Sequence, residues 1–184
     1  MTARAFVDSN VLIYPFDRDA GAKRAVAKEW IDRLWDSAEG RISAQVVSET
    51  YVTITRKLKP GLAPAEAQDA VRRYLDWKPL PIDARLIDAA WRIETRWRLS
   101  WWDALIVAAA QRAECAWLLT EDLQDGQRFD DVEVVDPFRH TPDEILDGGA
   151  SRVSEAPPVR RGVRRTPPAA PKPRARSGRR SGRK

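Results

Sequence analysis

Four carboxylates in this 184-residue chain stand where the hydrophobic pattern calls for an apolar residue or a plain turn: Asp8, Glu49, Asp103 and Asp122. Singly, each has a local explanation. Asp8 or Asp122 could cap a following helix, Asp103 could be the acidic third position of a capping box opened by Ser100, and Glu49 could be a solvated helix residue. Gathered at one cleft they mean something else. Two carboxylates about 4 Å apart repel by roughly 4 kcal/mol at an effective dielectric near 20, so four of them stay ionised together only with a cation between them. All-oxygen ligands with no His or Cys select Mg²⁺ or Mn²⁺ over zinc. Waters held by such an ion are a nucleophile source for phosphodiester hydrolysis, and the ion offsets charge on the transition state.

Whether the acids converge depends on the elements that carry them. Residues 3–7 are a short strand candidate, and Asp8-Ser9-Asn10 follows it into the apolar run Val11-Leu12-Ile13-Tyr14, the start of a buried helix. Residues 22–35 carry Ala22, Val26, Trp30 and Leu34 at helical spacing. Arg41-Ile42-Ser43-Ala44 is a second strand candidate. The helix after it places Val47, Tyr51, Ile54 and Leu58 on one face and stops before Pro60-Gly61. Residues 64–77 open with proline at the first helical position, and Leu80-Pro81-Ile82 is a weak edge-strand candidate. Residues 83–98 predict a helix with Leu86, Ile87, Ala90, Trp91 and Ile93 turned inward. Ser100-Trp101-Trp102-Asp103 caps a helix that is apolar nearly all round. Ala116-Trp117-Leu118-Leu119 and Val132-Glu133-Val134-Val135 are the last strands. Strands alternating with helices predict an α/β fold with a parallel sheet covered on both faces. Ligands of such sheets sit beyond the carboxyl ends of the strands, the edge on which Asp8 and Asp122 fall.

The ordered set Phe6-Val7-Asp8-Ser9-Asn10-Val11-Leu12, Ser48-Glu49, Trp102-Asp103-Ala104-Leu105-Ile106-Val107-Ala108-Ala109-Ala110 and Leu118-Leu119-Thr120-Glu121-Asp122-Leu123 resembles the PIN-domain ribonucleases, and within them the VapC-type toxins of bacterial toxin–antitoxin pairs. Each block alone is a weak signal, but their order and spacing over about residues 3–140 are specific. The resemblance implies a three-layer α/β/α sandwich with a short, mostly parallel sheet, Mg²⁺- or Mn²⁺-dependent endoribonuclease activity, a homodimer, and inhibition by a small cognate antitoxin protein. Carried over by position, Asp8, Asp103 and Asp122 would be the main metal ligands. Glu49 would hold a second ion or orient the attacking water. Asn10 and Thr120 match small polar positions that hydrogen-bond within the acidic cluster. Asp125 could substitute there, although Asp125-Gly126 also reads as a turn.

Composition narrows the field. The chain is 43% hydrophobic and 32% charged, with no run near the roughly 20 apolar residues of a membrane span and no leader-like segment after Met1, which predicts a cytoplasmic protein. One Cys, Cys115, in an apolar stretch reads as a buried thiol, and one His, His140, cannot build a zinc site alone. Twelve Lys and Arg against the single acid Glu155 lie between residues 151 and 184, leaving 20 basic and 26 acidic residues, net −6, before them. The expected organisation is a nuclease domain at 1–140 and a basic, Pro- and Arg-rich tail at 141–184, expected to be disordered and able either to attract nucleic acid or merely to solubilise. RNA contacts on the domain would fall to local cations such as Arg56 and Lys57, which equally suit a solvated helix end. The eight tryptophans sit mostly at core spacing, with one ring of the Trp101-Trp102 pair left without an obvious buried place. Rival readings are a structure-specific DNA nuclease, because nothing in the acids reads a 2′-hydroxyl, and a non-catalytic RNA-binding protein. The complete acidic set argues against the latter. An aspartyl-phosphate phosphatase would want a second Asp where Asn10 stands.

Overall fold

The computed structural model describes residues 4–148. Its sheet has five strands: β1 (Ala5–Val7), β2 (Gly40–Arg41), β3 (Trp117–Leu119), β4 (Arg128–Phe129) and β5 (Val132–Val135). They lie in the order β2-β1-β3-β5-β4, parallel except for the antiparallel β4–β5 pair. Seven helices surround it: α1 (Ser9–Ile13), α2 (Ala22–Ser37), α3 (Ala44–Val52), α4 (Pro64–Arg72), α5 (Ala84–Trp97), α6 (Trp101–Arg112) and α7 (Pro142–Leu146). The chain moves from β1 outward to β2, then back across β1 to β3. Right-handed crossovers in opposite directions put their helices on opposite faces, which makes the three layers expected from the sequence. Accordingly α2 packs on β2, and α6 packs on β1, β3 and β5 with α5 outside it.

The central strands β1 and β3 are buried on both faces, so they read as apolar runs without alternation. Helix α6 is buried from Ala104 through Ala110. Its alanines allow the helix to lie close on the sheet. Asp83 and Ser100 cap α5 and α6 through the Leu86 and Asp103 amides, as the sequence foretells for Ser100.

Several expectations are corrected. The helix after β2 does not run unbroken to Leu58: after Val52 it widens into a π turn over Thr53–Lys57, in which the Leu58 amide reaches the Thr53 carbonyl at 3.1 Å. The β-branched run Val52-Thr53-Ile54-Thr55 crowds the preceding turn, and the Thr55 hydroxyl donates back to the Tyr51 carbonyl at 2.7 Å. Leu80-Pro81-Ile82 is not a strand. Only Leu80 bridges to Ser43, and Pro81, with no amide hydrogen, ends the pairing. Trp91 points outward, one step from the buried stripe Leu86, Ala90 and Ile93. Strand β4 was not anticipated, although Asp130-Asp131 makes a two-residue turn with left-handed backbone at Asp130, where Asp is tolerated. The fold also continues past residue 140. Thr141 opens α7 with a reciprocal capping box to Glu144, and Leu146 is buried. Arg33 of α2 bonds Asp147 at 2.8 Å. The basic tail lies outside the described residues beyond 148, and Ala3 lies outside them at the other end.

Cys115 is buried, and that burial pushes its thiol up to about 12, as befits a core residue. Among the described residues no helix is long and apolar enough to cross a membrane.

Gly40 on β2 faces a wall of aromatic rings. A Cβ there would lie 2.7 Å from the Trp77 ring, which is held by Trp35 at 5.4 Å and Tyr74 at 5.8 Å and cannot swing aside. Gly40→Ala should therefore destabilise the protein by about 1–3 kcal/mol, as overpacked core substitutions do, read as a lowered urea midpoint at unchanged slope; an unchanged midpoint would mean that the aromatic cluster yields.

Candidate active site

The first strand delivers Asp8 to the carboxyl edge of the sheet. Its amide bonds the Leu119 carbonyl at 3.0 Å, extending the β1–β3 ladder by one step, and its side chain caps α1 at the Ser9 amide, 2.6 Å away. The chain turns from strand to helix with no room to expose the carboxyl, which is buried at 8%. Strand β3 ends beside it. The Thr120 hydroxyl donates to Asp8 Oδ2 at 2.8 Å and itself accepts from Asn10 Nδ2 at 3.2 Å and from the Asp122 amide at 3.1 Å. Asn10 Nδ2 also donates to Asp122 Oδ2 at 3.1 Å. One continuous network thus joins Asp8, Asn10, Thr120 and Asp122.

Glu49, in the second turn of α3, enters from the other side. The Ser9 hydroxyl donates to Glu49 Oε2 at 3.0 Å and Gln45 Nε2 donates to Oε1 at 3.0 Å, so both carboxylate oxygens are fixed. Burial above all pushes the Asp8 carboxyl up to about 6. The hydrogen bonds from Thr120 and Ser9 pull it down, and the negative charges of Asp122 and Glu49 push it up again.

Asp103 reaches the same edge by topology. The C-terminal end of α6 leads past Cys115 into Ala116, whose amide bonds the Arg4 carbonyl at 2.9 Å at the start of β1. A helix that enters its strand there runs antiparallel to it, which carries the α6 N-terminus to the strands' carboxyl ends. Within this structure Asp103 accepts from the Ser100 hydroxyl at 2.7 Å, the local capping interaction, and is not hydrogen-bonded to Asp8.

A hard divalent cation suits this donor set. The oxygens are carboxylate or amide, and Asn10 Oδ1 is buried beside Asp122 with no hydrogen-bond partner, a carbonyl oxygen left to face a cation. Among the described residues no three acids draw together as a ready-made cage. The fit is therefore to an ion held by one or two carboxylates with water completing its shell, the habit of Mg²⁺.

Other candidates fall elsewhere. Asp125 accepts from the Asp136 amide at 2.9 Å and lies 2.9 Å from His140 Nε2, so it ties down the chain after β5 and stays out of the acidic network. Arg56 and Lys57 are exposed on the π turn, about two turns beyond Glu49. Sequence reasoning missed Ser9 and Gln45, although Gln45 stands one helical turn before Glu49 and could have been found by that spacing. It also missed a brace on the loop between Thr120 and Asp122: Glu121 pairs with Lys23 and accepts from the Tyr14 hydroxyl, while Lys23 Nζ lies 5.1 Å from the Tyr14 ring centre and 4.9 Å from that of Phe138.

The sequence matches the PIN domain family model over residues 5–134. The chain belongs to the PIN-domain family, a family of nucleases. Among solved structures it is similar to the VapC20 toxin of Mycobacterium tuberculosis, a toxin that cleaves the sarcin–ricin loop. The two share 24% identity over 70% of this chain and 98% of that one, at a TM-score of 0.51. It is also similar to VapBC2 of Rickettsia felis, solved with a DNA fragment of its promoter, at 15% identity over 72% and 98% of the chains and a TM-score of 0.48. The likeness to the Mycobacterium tuberculosis toxin, at 24% identity, shows a shared fold alone. Curated protein sequences yield no match.

The raised Asp8 carboxyl has a sign that can be measured. Well below the ordinary value of 3.8 it is protonated whether the chain is folded or not; as pH rises from there toward 6 the unfolded chain loses the proton and the folded one keeps it. Stability therefore falls through that window, by an amount on the order of 3 kcal/mol at neutral pH when no metal is bound. In EDTA, Asp8→Asn, which keeps the acceptor for the Ser9 amide, should gain on the wild type in melting temperature as pH rises from about 4 to 7. Mg²⁺ added at neutral pH should then raise the wild-type midpoint and leave the variant's in place. Equal responses would remove Asp8 from the ion's ligands.

Proposed function

We propose that the chain is a Mg²⁺- or Mn²⁺-dependent endoribonuclease that hydrolyses RNA phosphodiester bonds, and that it is the toxin of a toxin–antitoxin pair. One observation carries the reading. A buried Asp8, pushed up to about 6 at the carboxyl edge of a parallel sheet, shares its network with Asp122 and Asn10 and its electrostatic field with Glu49. Such a carboxyl is costly without a cation and productive with one. RNA is favoured over DNA by the fold neighbour that cleaves the sarcin–ricin loop. The resemblance of the four motif blocks to VapC-type toxins supports a small antitoxin protein as partner, a homodimer, and the cytoplasm as the site of action.

A divalent ion bound here would neutralise charge on the scissile phosphate and lower the pKa of the attacking water. Asp8, Asp103 and Asp122 would hold it, one or two of them directly and the rest through its water shell. The Thr120 hydroxyl and the Ser9 amide fix the Asp8 carboxylate, so its reactive oxygen does not reorganise when substrate arrives. Glu49, oriented by Gln45 and Ser9, would take the proton of a water attacking phosphorus while the leaving sugar oxygen is protonated from solvent. Asn10 links Thr120 to Asp122, so the ends of α1 and β3 act as one rigid wall.

Purified protein freed of any antitoxin should fragment total RNA in Mg²⁺ or Mn²⁺ and not in EDTA. Asp8→Asn and Asp103→Asn should each lower the rate at least about a hundred-fold, comparable to the loss of a preorganised charged group at a reacting centre. Unchanged rates in both variants would place the reaction elsewhere, and preference for a branched or flapped DNA over RNA would establish the DNA-nuclease reading. RNA bound but uncut in either metal would leave a binding protein.

A further inference from the structure

Two tryptophans are more than half exposed, and both lie at the α5–α6 corner: Trp91 at 56% and Trp102 at 59%. Exposed apolar rings gathered at one place mark interaction sites, where scattered single ones do not. Trp102 occupies the first turn of α6 and directly precedes Asp103. Its neighbour Trp101 is half-buried and packs 6.3 Å from the Trp91 ring, so these two indoles bridge α5 and α6 beside the exposed Trp102. Trp91, Arg92, Thr95 and Arg96 share one face of α5 and line a shallow cleft of about 420 Å³. The helix ends at Arg98, which is exposed, held in left-handed backbone, and has no acidic partner among the described residues.

The chemistry of this strip separates its occupants. A stable protein interface needs a contiguous apolar centre and roughly 1,000 Å² or more of buried surface. Here the rings are set apart by charged side chains. Arg92 and Arg96 are tied to Asp88 and Asp130 only by ion pairs whose members are half or more exposed, which are weak and readily exchanged for phosphate. Alternating indole faces and guanidinium groups suit a polymer with flat bases and an anionic backbone. The strip also starts at the helix end that carries Asp103, so a strand lying on it enters the acidic cleft.

We propose that the α5–α6 corner is the single-stranded RNA subsite of this nuclease: unpaired bases stack on Trp102 and Trp91, and Arg96 and Arg98 take the intervening phosphates. The proposal rests on the nuclease reading above and moves RNA engagement away from Arg56 and Lys57. Because bases leave the stack only where RNA is unpaired, the site selects loops over duplex.

The test is fluorescence anisotropy of a labelled single-stranded RNA of about a dozen nucleotides with the full chain in EDTA, alongside cleavage of the same RNA in Mn²⁺. Trp102→Ala should weaken binding roughly ten-fold, the usual loss of one stacked base, whereas Trp102→Phe should retain most of it. In cleavage, the effect should fall on KM more than on kcat. Arg98→Ala should weaken binding and flatten its salt dependence, and Arg56→Ala should do neither. Wild-type cleavage with Trp102→Ala indistinguishable in affinity and KM would overturn the subsite and leave the nuclease standing. A Trp102→Ala protein that changes from dimer to monomer by light scattering would assign the ring to a second copy of the chain, which also overturns it. Neither binding nor cleavage of RNA by the wild type would remove both readings together.

Discussion

The structure turns on one buried carboxyl. Asp8 is the residue at which β1 ends and α1 begins, and it cannot leave the interior without breaking the Leu119 ladder bond and the cap of α1. Its burial sets the demands on its neighbours. Thr120 must present a hydroxyl, Asn10 must face inward to bridge Thr120 and Asp122, and α3 must lie near enough for Ser9 to reach Glu49. None of these residues contributes much apolar area. They stabilise a charge arrangement, and the apolar work is done around them by β1, β3 and the alanine-rich face of α6.

That division of labour explains why the rim can be soft while the floor is rigid. The floor is strand ends hydrogen-bonded to one another and packed from both faces. Past Thr120, whose amide still bonds the Val135 carbonyl at 3.1 Å, the chain to Asp122 has no such ladder, yet Glu121 pins it through Tyr14 and Lys23, a partly exposed brace linking it to the start of α2. Asp125 and His140 anchor the next segment independently. The carboxylates of the cleft are thus held by neighbours that fix their oxygens, the arrangement that keeps a charged site preorganised.

Much of this was legible because the local signals agree. Ser100 before an apolar run marks a capped, buried helix, and it is one. Acids after Val7 and Leu119 mark strand ends, and they are. What escaped was set by contacts that no local pattern carries. The π turn after Val52 arises from competing side-chain and backbone bonds at Thr55, and Trp91 differs from Ala90 by a single step of helical phase. Strand β4 is two residues long and exists only because β5 offers an edge. Helix α7 is the opposite case: its Thr-Pro-Asp-Glu start is a plain signal, overshadowed by the basic stretch that follows. Of the site, the acids were readable as residues out of place. The partners Ser9 and Glu121 were not, because ordinary polar residues at ordinary positions acquire a role only when the fold brings something charged to them.

The remaining constraint is electrostatic. Residues 1–150 carry six more acids than bases, and residues 151–184 carry eleven more bases than acids. A polyanion approaching the folded part meets net repulsion over distances up to the Debye length, about 8–10 Å at ordinary salt. Within that range only local clusters matter, which places the burden of the domain's own attraction on corners such as the one carrying Arg92, Arg96 and Arg98. The basic segment adds an attraction for nucleic acid that is non-specific and weakens steeply with salt. The two act on different steps. On the proposed nuclease reading, the segment can raise encounter without selecting a sequence, while the corner and the acidic cleft, both fixed on helices and strand ends, are where discrimination between nucleotides would arise.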